Sequence, residues 1–241
     1  VYGTLIVGLG CETTKPYELA DEIRQVSDKP LEVITIQDCG GSVRALERGV
    51  EIARKLVEDA SKVEREPMEL GDLLLGTNCG GSDATSGLAA NPVIGVVSDK
   101  VVAAGGTVML GETTELIGTE DILASRAATP EVADDIYKIV HGLEQSFAEA
   151  GVDVRGANPS PGNMKGGLST LEEKALGGIS KGGTTPITQV VPYGVHPTES
   201  GLTIMDTPGY DIESVSGMTC GGAQVLIFST GRGTPIGNPL I

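Results

Sequence analysis

The chain has 241 residues, with 17 Lys and Arg against 33 Asp and Glu and a formal charge of −16. That length holds one large or two small domains, and the charge excludes a nucleic-acid groove, which needs cations to neutralise phosphates. No apolar run approaches the roughly 20 residues that span a bilayer, and no basic-then-apolar leader opens the chain, so a soluble cytoplasmic protein is expected. Two Phe, five Tyr, no Trp and 35 Gly point to an aliphatic core with tightly turning backbone. Cys11, Cys39, Cys79 and Cys220 are too few and too scattered for a disulfide scaffold. Val1 is not an initiator Met, and the chain closes on Gly231-Arg232-Gly233-Thr234-Pro235, so a fragment of a longer polypeptide is expected.

In chain order, Tyr2 to Gly8 predicts a strand, Gly8-Leu9-Gly10-Cys11 a turn, and Leu19, Ile23 and Val26 a helix opened by Pro16. Leu31 to Ile36 predicts a second strand. Ser42 is a good N-cap for a helix reaching about Lys62, whose one face carries Leu46, Val50, Ala53, Val57 and Ala60. Leu73 to Leu75 is an unbroken apolar run of the kind found in buried parallel sheets. A helix from Asn91-Pro92 is stopped by Gly105-Gly106, and Thr107 to Leu110 is a fourth strand. This βαβαβαβ alternation predicts a Rossmann-like twisted parallel sheet flanked by helices.

A helix over about 130–150 follows. Residues 152–170 form a Gly-, Pro- and Asn-rich loop too long to be an idle connection. A short helix at 171–176 and strands near 187–191, 202–205 and 224–228 then complete a further mixed α/β portion. Two domains are expected, 1–150 and 151–241.

Several motifs bear on chemistry. Gly8-Leu9-Gly10 is similar to a dinucleotide turn, but Thr13 replaces the third glycine and no matching acidic residue follows, so an NAD-dependent oxidoreductase is poorly supported. Asp206-Thr207-Pro208-Gly209 lacks the phosphate loop that a GTPase would need. His141 and His196 come without a nucleophile elbow, which argues against acyl hydrolysis. Cys11, Cys39 and Cys79 each follow a predicted strand at the carboxyl edge where open α/β sheets bind ligands, so convergence on a soft metal or iron–sulfur site is expected. Glu112, Glu115 and Glu120 follow the fourth strand at the same predicted edge, a cluster suited to proton abstraction or metal binding, or to a solvated helix start. Asn158, Ser160, Asn163 and Lys165 sit on Pro turns between glycines and can present many donors to a polyoxygenated anion. Arg232 lies between glycines that permit close approach to a carboxylate.

Together, Gly8-Leu9-Gly10-Cys11-Glu12, the run Asn78-Cys79-Gly80-Gly81-Ser82-Asp83-Ala84-Thr85-Ser86-Gly87, Asn91-Pro92, Gly105-Gly106-Thr107, Glu112 to Glu120, Asn158 to Gly167, Leu171 to Gly177 and Phe228 to Pro235 closely resemble the altronate/galactarate dehydratase family. The resemblance implies a carbon–oxygen lyase that removes water across C2 and C3 of a sugar acid to give a 2-keto-3-deoxy acid, with Fe2+ or an iron–sulfur cluster. It implies Cys11, Cys79 and Glu112 as metal ligands, and Lys165, Asp83 and Glu115 as catalytic groups. Asn158, Asn163, Ser160 and Arg232 would then bind substrate. Cys39 matches no family motif, and Cys220 is expected to be structural. The same family includes the large subunit of sulfolactate sulfo-lyase, which makes desulfonation an alternative. A non-catalytic core or assembly domain is another. Expected partners are a sugar acid, a small β-rich domain or subunit and further copies of the chain, without nucleic acid or membrane.

Overall fold

A computed structural model describes Val1–Ile241 as a mixed α/β chain. It divides into two compact units, Val1–Pro67 and Met68–Ile241. The break falls in an exposed stretch without helix or strand, not at the expected boundary after residue 150. The reason lies in strand pairing: the strands of the expected second domain join the same sheet as the third and fourth strands.

The first unit contains β1 (Thr4–Gly8), α1 (Pro16–Val26), β2 (Leu31–Thr35) and α2 (Ser42–Ala60). β1 and β2 form a two-stranded parallel sheet of their own, which corrects the expected continuous sheet through β4. Two other expectations change here. Ser42 is the first residue of α2 and makes no side-chain cap. The face bearing Leu46, Val50, Ala53 and Val57 is exposed, and Ala45 and Ile52 are buried instead. The stripe one position over, Ala45-Gly49-Ile52-Leu56, has the same helical period. A Cβ on Gly49 would meet Ile34 and Leu5 in ordinary contact, and Leu56 reaches Gly3. Small residues on that stripe let the helix lie close to a narrow sheet.

The second unit runs through β3 (Leu74–Cys79), α3 (Asn91–Ala103), β4 (Thr107–Leu110), α4 (Glu120–Ala124), α5 (Pro130–Glu149), α6 (Val154–Ala157), α7 (Pro161–Lys165), α8 (Leu171–Ile179), β5 (Ile187–Val191), β6 (Gly201–Met205), α9 (Asp211–Cys220) and β7 (Val225–Ser229). Its sheet has the order β5-β6-β4-β3-β7, and every pair is parallel. The central β4 is apolar on both faces because helices cover both. Val108, Leu110, Leu202 and Ile204 pack on one side with Val101, Ile136, Leu171 and Ile179. Met109 and Met205 pack on the other side with Met218 of α9. No helix is long and apolar enough to cross a membrane.

Candidate active site

A parallel sheet brings the ends of its strands to one edge, and the order β6-β4-β3-β7 makes the exits of four strands neighbours there. β3 ends on Cys79. β4 is followed by Gly111 and Glu112, where the backbone takes a left-handed φ of 66° before a single 3-10 turn, Thr113–Glu115. This rare conformation for a side-chain-bearing residue is held from β6: the Glu112 N–H donates to Thr207 Oγ1 at 2.6 Å, and the Thr113 hydroxyl donates to Asp206 at 2.6 Å.

The bent backbone points Glu112 inward. Its carboxylate accepts the Cys79 N–H at 3.0 Å and the Lys181 ammonium at 3.0 Å, and Lys181 Nζ also stands 2.9 Å from Cys79 Sγ. Lys181 and Glu112 are 1% and 2% exposed. Lys181 comes from the 3-10 turn Ser180–Gly182 after α8, anchored by a hydrogen bond from the Ser98 hydroxyl to its carbonyl at 2.7 Å. α3 comes this close only because residue 95 is glycine; a Cβ there would overlap the Ser180 carbonyl oxygen. Burial pushes the Cys79 thiol up to about 12, with the Glu112 charge adding to the rise. Burial also raises the Glu112 carboxyl, against the pull of Lys181. For Lys181, burial by itself would lower the ammonium, but the negative charge of the Cys79 and Glu112 groups outweighs it and leaves it raised.

Beside this core lies a cleft of about 360 Å³ whose wall includes Glu115, Asn158, Lys174, Tyr210 and the apolar Phe147, Val152 and Val154. Lys174, from α8, sits 2.7 Å from Glu115 Oε1 and donates to Asn158 Oδ1 at 2.7 Å. Glu115 Oε2 is buried without a hydrogen-bond partner. A buried acceptor with no donor is costly, and here it belongs to a residue lining an open cleft. Next to Tyr210, the Asp211 carboxyl is raised by burial, Lys174 opposing and Glu115 adding to the shift. Its oxygens lie over Gly80, 2.6 and 2.7 Å from where a Cβ would be.

The expected site residues scatter around this centre. Asn158 and Glu115 line the cleft together. Ser160 and Asn163 also reach it but are engaged in a reciprocal cap at the start of α7, and Asn163 donates to the Ser82 carbonyl at 2.8 Å. Asp83 accepts from Thr85 and Ser86, and the Thr85 hydroxyl first among them holds its carboxyl below the ordinary range. Lys165 is exposed at the end of α7 and is not part of the cleft wall. Arg232 packs over Gly162, and its N–H donates to the Gly81 carbonyl at 3.1 Å. Cys11 and Cys39 follow β1 and β2 of the first unit, so the three thiols leave two different sheets instead of one edge.

Cys79 and Glu112 do not fit a divalent metal as a pair, because the Lys181 ammonium occupies the point on which both converge. No group of three His, Cys, Asp or Glu side chains has metal-holding geometry. The sequence reading missed Lys174, Lys181 and Asp211. Lys174 lies in the Leu171 to Gly177 run already singled out, but only burial and packing distinguish it from Lys165.

Residues 70–241 match the model of the C-terminal domain of D-galactarate/altronate dehydratase, and residues 1–61 match that of the second domain of D-galactarate dehydratase/altronate hydrolase. The chain belongs to this family. The family's two domain models divide the sequence where the two structural units divide. The chain is 39% identical to an altronate dehydratase of Bacillus subtilis over 98% of its own length and 46% of the relative's. It is 36% identical to a galactarate dehydratase (L-threo-forming) of Escherichia coli, over 97% of this chain and 45% of that one. A (2R)-sulfolactate sulfo-lyase subunit beta of Chromohalobacter salexigens is 34% identical over 98% of this chain and 61% of that protein. The chain therefore spans about half the length of the dehydratases it matches.

Proposed function

We propose that this family member carries the catalytic cleft of a cytoplasmic sugar-acid dehydratase, which removes water from an aldonate or aldarate to give a 2-keto-3-deoxy acid. The observation that carries this reading is Glu115 on the cleft wall, one carboxylate oxygen on Lys174 and the other buried without a partner, with Lys174 also held by Asn158. A proton alpha to a carboxylate is only weakly acidic, so its removal needs a base and a cation beside the developing enediolate. Lys174 has three donors and spends two on Glu115 and Asn158; the third meets the substrate carboxylate. The free Glu115 oxygen takes the C2 proton. Asp211, whose raised carboxyl keeps its proton to higher pH, protonates the 3-hydroxyl as it leaves as water. The resulting enol tautomerises to the keto acid.

Purified protein incubated with galactarate, altronate and sulfolactate, with and without added Fe2+, tests the reading by separate assays for 2-keto-3-deoxy acid and for sulfite. Keto acid from a sugar acid, lost in Glu115→Gln, supports it. Sulfite from sulfolactate would assign the chain to the desulfonating branch of the family, and neither product would leave an assembly domain.

A further inference from the structure

The cluster of Cys79, Lys181 and Glu112 takes no part in the dehydration steps above, yet it sets a thiol against an amine in a closed interior. Lys181 Nζ stands 2.9 Å from Cys79 Sγ and 3.0 Å from Glu112 Oε2, and Sγ lies 3.9 Å from Glu112 Oε1. Cys79 is 5% exposed and Lys181 1%. Burial holds the thiol protonated, which makes it a poor partner for outside disulfides, and the packing keeps bulky thiols away. Dioxygen, small and apolar, is the oxidant that such an interior admits. A sulfur oxidised here meets the adjacent nitrogen before any outside thiol.

We propose that Cys79 and Lys181 form a modification site, at which dioxygen joins Sγ and Nζ through one oxygen atom in a reversible S–O–N bridge. The S–H bond and two N–H bonds of the ammonium break, and S–O and O–N bonds form. Dioxygen takes two electrons from sulfur and two from nitrogen; one of its atoms becomes the bridge and the other leaves as water. The surplus proton of the ammonium passes to Glu112, so the cluster stays neutral. Sγ and Nζ already stand close to the span of the linkage, and closure fastens the end of α8, the helix that carries Lys174, to the end of β3. Small thiols reverse the oxidation once the chain opens, returning thiol, amine and water.

Tryptic mass spectrometry of the whole chain tests this, after incubation in air-saturated buffer or anaerobically with dithiothreitol. Trypsin does not cut at a bridged Lys181, so the expected product in air is peptide 66–100 joined to peptide 175–232. Its mass exceeds their sum by one oxygen less two hydrogens. Dithiothreitol added after unfolding should abolish the product, as should Cys79→Ser, Lys181→Arg, and exposing the wild type to air while unfolded in urea. The last needs no folded variant. Recovery of Cys79 unlinked after air, as thiol or as sulfinic acid, would overturn the proposal. So would a link without the added oxygen, as a disulfide to Cys220 would give, or equal bridging in the unfolded chain.

Discussion

The Lys181 ammonium stands 3.0 Å from the Glu112 carboxylate, and both side chains are shut off from solvent. Such a pair contributes little relative to an apolar replacement of both, but removing one partner strands a charge. Lys181→Met is therefore expected to destabilise the second unit by about 3–5 kcal/mol, measured by urea unfolding, with part of the loss recovered when Glu112→Gln is added. A variant as stable as the wild type would show that Glu112 is not held as a carboxylate.

The same cluster sets an alkaline limit. The Cys79 thiol is raised from 9.0 to about 12 in the folded chain, so the unfolded state releases its proton first. The stabilisation is complete below pH 9 and is lost as pH rises toward 12. Lys181, also raised from its ordinary value of 10.5, acts in the same direction at higher pH. Unfolding free energy is expected to fall by roughly 1 kcal/mol per pH unit above pH 9, and Cys79→Ala should flatten that slope.

Because Lys181 fills the convergence of Cys79 and Glu112, a thiol-held metal is not expected there. Metal content of anaerobically purified protein, by mass spectrometry, should be the same for the wild type and Cys79→Ser. Stoichiometric iron that disappears with Cys79 would contradict the observed arrangement.

The division after Pro67 is open to limited trypsin digestion. Arg65 lies in an exposed stretch without helix or strand, whereas Arg155 is tied to Glu144 at 2.8 Å and Glu172 at 3.2 Å. Early cleavage is expected to leave a stable fragment beginning near residue 66. First cleavage at Arg155 would favour a boundary near 150 instead.

Individual elements were legible because local signals mark them: Pro130 and Gly151 bound α5, and β4 and β5 fall on the expected Thr107 to Leu110 and 187–191. Their grouping was not legible, since β1 and β2 carry the same βα alternation as β3 and β4, and only pairing separates the sheets. On α2 two stripes share one period, and close packing against Ile34 and Leu5 selected the glycine-bearing one. Glu112, Glu115 and Asn158 were visible as polar residues at a strand exit and in a long loop. Lys181 was hidden, because an isolated Lys before two glycines looks like a surface turn until a helix and a strand end close over it.

The cleft assigns a base to Glu115 and an anion holder to Lys174, and these roles separate experimentally. Deuterium exchange at C2 of a bound sugar acid, followed by NMR beside calorimetric binding, tests them together. Lys174→Met should weaken binding about tenfold or more. Glu115→Gln should keep binding within about threefold, yet slow C2 exchange by about 100-fold or more. Exchange in Glu115→Gln at the wild-type rate would contradict the account.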